Sequence, residues 1–128
     1  MGFEVAVEGR IESAHRIMED TGKCGKLHGH RWEFNVNIEV QYALQVDAND
    51  LKKHLQEVLV QWDHKVLLKR GDPLAEILFA NAQHVLLFDE SPTVEHLAFR
   101  LHSEMCKKGY DVSAVTCWET STISASYS

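Results

Sequence analysis

From Trp32 to Tyr42 the chain alternates without a break. Trp32, Phe34, Val36, Ile38, Val40 and Tyr42 occupy one parity, and Glu33, Asn35, Asn37, Glu39 and Gln41 the other. Successive side chains of an extended strand point to opposite faces, so this run makes a ribbon with one apolar and one polar face. A helix would scatter the same residues around its circumference. The chain must therefore build a sheet and cover its apolar side. His28 and His30 fall on that same parity just ahead of Trp32, separated by Gly29, so their rings stand side by side at the strand's entrance. That is half of a metal site.

The remaining segments are placed around this strand. Phe3, Val5 and Val7 alternate and the apolar parity resumes at Ile11, so residues 3–17 read as a strand with a bulge at Gly9 and His15 near its far end. Residues 18–27 are polar and glycine-rich, a loop or wide hairpin connection carrying Cys24. If the two strands pair as an antiparallel hairpin, His15 comes beside His28 and His30. Asp47 caps a helix with Leu51, Leu55, Val58, Leu59 and Trp62 on one stripe, ending near Asp63-His64. Asp72-Pro73 opens a short helix to about Ala82, and His84–Phe88 forms a short strand. Ser91-Pro92-Thr93 opens a helix with Val94, Leu97, Ala98, Leu101 and Met105 on one stripe, closed at Gly109. Residues 110–120 and 123–127 finish as two strands. The order ββααβαββ, without internal repeat or linker, predicts one α+β domain over residues 1–128, an antiparallel sheet with helices on one face.

Composition narrows the partners. A formal net charge of -6, with only short basic pairs such as Lys52-Lys53, argues against a nucleic-acid surface. No stretch reaches the length of a membrane span, and the N-terminus lacks the pattern of a signal peptide, so a cytoplasmic location is expected. Cys24, Cys106 and Cys117 are an odd number at wide spacing, which predicts reduced thiols rather than a disulfide framework.

Three neutral imidazoles, His15, His28 and His30, would leave a fourth position of a tetrahedral zinc open for water or substrate, the pattern of a catalytic centre. The bland alternative for the His-x-His pair is two polar residues at a sheet end. Cys24 reads either as a small buried hydrophobe or, beside Lys23 and Lys26, as a thiol biased toward thiolate and able to take a proton. Asp63-His64 reads as a helix-terminus pair or as a relay for that proton. Glu119 stands in an otherwise apolar or small run and is either a solvent-facing Glu or a buried carboxylate that needs N–H partners such as a heterocycle supplies.

Together, Ser13-Ala14-His15-Arg16, Cys24-x3-His28-Gly29-His30, Asp63-His64-Lys65, Pro92-Thr93-x-Glu95 and Glu119-Thr120 resemble, in order and spacing, the 6-pyruvoyl-tetrahydropterin synthase family. The short Cys-x3-His-Gly-His spacing is similar to its 6-carboxy-tetrahydropterin synthase branch, the branch of queuosine and deazapurine biosynthesis. The resemblance implies a tunnelling fold, with a four-stranded antiparallel sheet per subunit, barrels closed by oligomerisation, and a homo-hexamer built as a dimer of trimers with active sites at subunit interfaces. It implies Zn2+ held by His15, His28 and His30, Cys24 as general base with Asp63 and His64 as relay, Glu119 as the pterin anchor, and Thr93 and Glu95 near the pterin. The implied reaction converts 7,8-dihydroneopterin triphosphate to 6-carboxy-5,6,7,8-tetrahydropterin with loss of acetaldehyde and triphosphate. Elimination of triphosphate alone, cleavage to a 6-hydroxymethyl pterin, and a non-catalytic pterin- or metal-binding subunit are the alternatives. Ile11, Ala48, Leu67-Leu68 and His96 depart from the family's usual residues at positions of packing and pocket shape.

Overall fold

The computed structural model of the chain describes residues 2–128. Two long strands, β1 (Phe3–His15) and β2 (His28–Val40), are followed by α1 (Ala48–Leu59), β3 (Val66–Lys69), α2 (Leu74–Ala80), β4 (Val85–Phe88), α3 (Val94–Lys107), β5 (Val112–Thr120) and β6 (Ile123–Tyr127). The connection between β1 and β2 contains one short 3-10 turn, Lys23–Gly25. The strands of the described residues form one sheet in the order β4-β3-β1-β2-β5-β6. β1, β2, β5 and β6 pair antiparallel as the sequence predicts.

The sheet is wider than four strands. β3 joins β1 in parallel and β4 joins β3 in parallel, which makes the sheet mixed. β3 escapes a periodicity reading because Val66, Leu67 and Leu68 are a short continuous apolar run, and Leu67 and Leu68 are both buried. A strand covered on both faces has no alternation to detect.

The apolar parity of β2 does what its pattern requires. Trp32, Phe34, Val36 and Ile38 are buried under Leu51 and Leu55 of α1 and Leu97, Leu101 and Met105 of α3. Each large side chain so covered contributes on the order of 2 kcal/mol before ordering costs are counted. The opposite face carries exposed Glu8, Glu12, Arg31, Glu33 and Glu39. Gly9 is not a bulge, because the β1–β2 register runs through it unbroken from Phe3↔Val40 to His15↔His28. Its hydrogen instead lets α1 lie close, since a Cβ there would press into Leu59 and Leu55.

The helix signals are realised in detail. Asp47 accepts from the N–H groups of Asn49 and Asp50 at 2.8 and 3.3 Å. Thr93 accepts from His96 N–H at 3.2 Å at the start of α3, and Gly109 follows its end with φ +96°. At α2 the capping oxygen belongs to Asp72, which accepts from Leu74 N–H at 2.9 Å across Pro73. Among the described residues no helix is long and apolar enough to cross a membrane.

Candidate metal centre and active site

The register of the β1–β2 hairpin sets His15 opposite His28 and Ser13 opposite His30. Parity turns the three rings to the same side, and one ligand nitrogen from each lies within 4.8 Å of the others. His15 Nε2 is 3.0 Å from His28 Nε2. In His15 and His28 the other ring nitrogen fixes the tautomer. His15 Nδ1 donates to the Pro92 carbonyl at 2.8 Å, and His28 Nδ1 donates to the Lys26 carbonyl at 2.6 Å. A carbonyl can only accept, so both rings carry their proton on Nδ1 and present bare Nε2 lone pairs to each other. Two lone pairs at that distance repel unless a proton or cation is shared between them.

His30 Nε2 is buried and has no hydrogen-bond partner. An orphaned ring nitrogen is costly unless something absent from the chain satisfies it. The three-nitrogen set therefore fits a divalent transition-metal ion with a further coordination position open. Trp32 walls the centre, its ring edge-on to His15 at 4.7 Å and to His30 at 5.2 Å between centroids.

Burial favours the neutral form of two of the rings, His15 and His30. Burial pulls the His15 imidazole down to about 4; the Pro92 carbonyl opposes this, and His28 and His30 add to the lowering. His30 is lowered by burial, in part offset by Glu119, with a further push from His28. The linkage has a definite sign. Between the unfolded value of 6.5 and about 4 the unfolded chain holds a proton that folded His15 refuses. The metal-free protein therefore loses stability as pH falls through that window, by about 3 kcal/mol from this group alone. Urea midpoints at pH 7 and pH 4 should show the loss, and His15→Gln should have a shallower pH slope.

Glu119 is half-buried on β5 and reaches this centre. Its Oε1 is 3.5 Å from His30 Nε2 and 3.6 Å from His15 Nε2, within ion-pair range but too long for a well-formed hydrogen bond. Glu119 and His30 also line a hollow of about 650 Å3 with Arg31, Trp118 and Thr120. Cys117, buried beside it, has its thiol pushed up by burial and then by the charges of Glu119 and Glu95. Glu95 thus lies within electrostatic reach of the same corner. Thr93 has a defined structural part as the cap of α3, and its Oγ1 is 3.3 Å from His96 Nδ1.

Asp63 and His64 grip β1. Asp63 Oδ1 accepts the Glu12 N–H at 2.7 Å, and His64 N–H donates to the Glu12 carbonyl at 2.8 Å. His64 takes φ +55°, an unusual conformation for a side-chain-bearing residue, and its Nδ1 lies 3.0 Å from Asp63 Oδ2. Burial works to raise the Asp63 carboxyl, but the Glu12 N–H and the His64 ring outweigh it and hold it below the ordinary range. His64, His30, Lys65 and His84 border a groove of about 500 Å3, whereas Asp63 lines a separate hollow with Glu33 and Trp118.

Cys24 is exposed on the 3-10 turn and is not one of the clustered ligands. The turn is held tightly. Ile17 N–H donates to the Cys24 carbonyl at 2.7 Å, and Asp20 Oδ1 accepts from Gly22 N–H at 2.6 Å. A Cβ on Gly25 would overlap the Asp20 carbonyl. Gly25→Ala is therefore expected to cost about 1–3 kcal/mol; a fall in melting temperature with altered Cys24 alkylation would show it.

Sequence reasoning missed the backbone carbonyls of Pro92 and Lys26, which carry no side-chain signature. It also missed Glu19, Ser91 and the Arg16–Asp72 pair, whose partners lie far apart in the chain.

Fold and site together define an α+β protein of the tunnelling-fold type with a cluster of three histidines, able to hold a metal ion, at the mouth of its long hairpin. The family model described as 6-pyruvoyl tetrahydropterin synthase matches residues 4–128, and the chain belongs to that family. A probable 6-carboxy-5,6,7,8-tetrahydropterin synthase of Halobacterium salinarum is 32% identical, covering 91% of this chain and 80% of its own. The 6-carboxy-5,6,7,8-tetrahydropterin synthase of Synechocystis is 30% identical over 91% of this chain and 86% of its own. Among solved structures, 6-pyruvoyl tetrahydropterin synthase of Caenorhabditis elegans superposes with a TM-score of 0.71 at 20% identity, covering 98% of this chain and 94% of that one. At that identity the likeness establishes the fold.

Proposed function

We propose that the protein is a zinc-dependent lyase that converts 7,8-dihydroneopterin triphosphate and water to 6-carboxy-5,6,7,8-tetrahydropterin, acetaldehyde and triphosphate. The observation that carries the reading is the convergence of three imidazole nitrogens, two with fixed tautomers and one orphaned, beside the Glu119 carboxylate. The choice of product is supported by the names of the relatives at 30% identity and above, and by the Cys24-x3-His28 spacing.

Bound by His15, His28 and His30, zinc supplies Lewis acidity that acidifies protons of the substrate's hydroxylated side chain. The protein's residues do the rest. Glu119 accepts the N–H groups of the pterin ring, a charge-assisted contact that orients the ring. Cys24, as thiolate, removes a side-chain proton, and the Asp63–His64 pair returns protons as bonds break. Thr93 and Glu95 border the ring. Ring reduction and side-chain oxidation balance within the substrate, so no external redox partner enters. Assembly into a homo-hexamer is part of the proposal: β4 and β6 are the outer strands of the sheet, and pairing edges between subunits would cover them.

Zinc-loaded protein incubated with the substrate should release acetaldehyde, trapped as a hydrazone, in step with triphosphate. Triphosphate without acetaldehyde would contradict the proposed product and indicate the pyruvoyl reaction instead.

A further inference from the structure

Glu19 is outside every motif of the site, yet it joins the two segments on which the chemistry depends. It lies on the connection between β1 and β2, five residues before Cys24. Its carboxylate accepts the Ser91 hydroxyl, 2.6 Å to Oε1 and 2.9 Å to Oε2, and meets Lys69 Nζ at 3.3 Å. Ser91 is buried at the opening of α3. The next residue, Pro92, gives its carbonyl to His15 Nδ1, and the Ser91 carbonyl accepts from His96 Nδ1 at 2.8 Å.

We infer that the Glu19–Ser91 hydrogen bond is a strut that fixes the Cys24 turn relative to the Pro92 carbonyl that orients His15, which makes Glu19 and Ser91 positioning residues for proton transfer. The turn is internally stiff through the Ile17–Cys24, Asp20–Gly22 and Gly25 contacts, so it moves as one piece. A stiff piece is located by its outside ties. At its root the tie is Arg16, whose guanidinium forms a paired interaction with both Asp72 carboxylate oxygens, Nε to Oδ2 at 2.8 Å. The tie closer to the thiol is Glu19. Of the two ties, Glu19 is the one that reaches the segment whose Pro92 carbonyl orients His15. A hydroxyl between two carboxylate oxygens is a charge-assisted contact, shorter and stronger than a neutral one.

This inference rests on the reading of Cys24 as the base, and the test separates the two. In zinc-loaded protein, Glu19→Ala is expected to lower kcat about 10- to 100-fold with little change in KM, the scale on which small misplacements and outer contacts act. Glu19→Gln keeps an acceptor for Ser91 and should recover most of the loss. Ser91→Ala should match Glu19→Ala, and the double variant should be no worse than either single one. A readout independent of turnover is the alkylation rate of Cys24 in a Cys106→Ser background, expected to shift several-fold in Glu19→Ala and to return in Glu19→Gln. Multiplying losses in the double variant, or an unchanged alkylation rate, overturns the strut. Retained turnover in Cys24→Ala would instead overturn the base, leaving the alkylation rate and the Glu19–Ser91 cycle to judge the strut.

Discussion

His28→Ala is expected to leave the protein folded but without its metal, and with turnover reduced to background. His28 is the ligand to change because it is only half-buried, whereas His15 is 2% exposed and its removal would open a hole behind Trp32. Losing an outer-sphere contact to a metal ligand costs roughly 10- to 100-fold in affinity, so losing one of three ligands should cost at least that. Elemental analysis after dialysis should find about one zinc per chain in the wild type and almost none in the variant. Unchanged metal content would show that the nitrogens converge for another reason. The variant also relieves the His15–His28 lone-pair conflict, so metal-free His28→Ala should unfold at no lower temperature than metal-free wild type.

Cys24→Ala carries the second large effect. The side chain is exposed and absent from the ligand cluster, so its removal should spare metal content and pterin binding. Turnover should fall about 100- to 10,000-fold, the range that a positioned acid or base contributes. Pterin fluorescence titration and steady-state kinetics on the same preparation separate binding from chemistry. A variant with wild-type kcat would remove Cys24 from the proton transfer. A wild-type protein that binds pterin without converting it would make the chain a binding module.

Much of the site was legible because strand parity is a strong constraint. The alternation after Trp32 fixed the face of His28 and His30, and antiparallel pairing then delivered His15 opposite His28. Glu119 shares the parity of Val115 and Cys117, yet the sequence left the solvent-facing and buried readings open, and the structure makes it half-buried. Its approach to His15 and His30 was not legible, since it depends on how β5 registers against β2. β3 and Gly9 failed for opposite reasons. The first is too short and too buried to show a period, and the second suggested a break in a ladder where the real constraint is the closeness of α1. The Glu19–Ser91 contact spans 72 positions between a loop carboxylate and a hydroxyl, and no local pattern encodes such a pair. Composition limited the partners but placed no residue.

The proposed chemistry is carbon–carbon cleavage of a pterin side chain at the three-histidine centre of this hairpin. Mass spectrometry of the pterin formed from 7,8-dihydroneopterin triphosphate by the zinc-loaded protein tests it most directly. The expected product carries a single carboxyl carbon at C6, formed by wild type and absent with His28→Ala. A product that retains all three side-chain carbons, or an unchanged substrate, would contradict it.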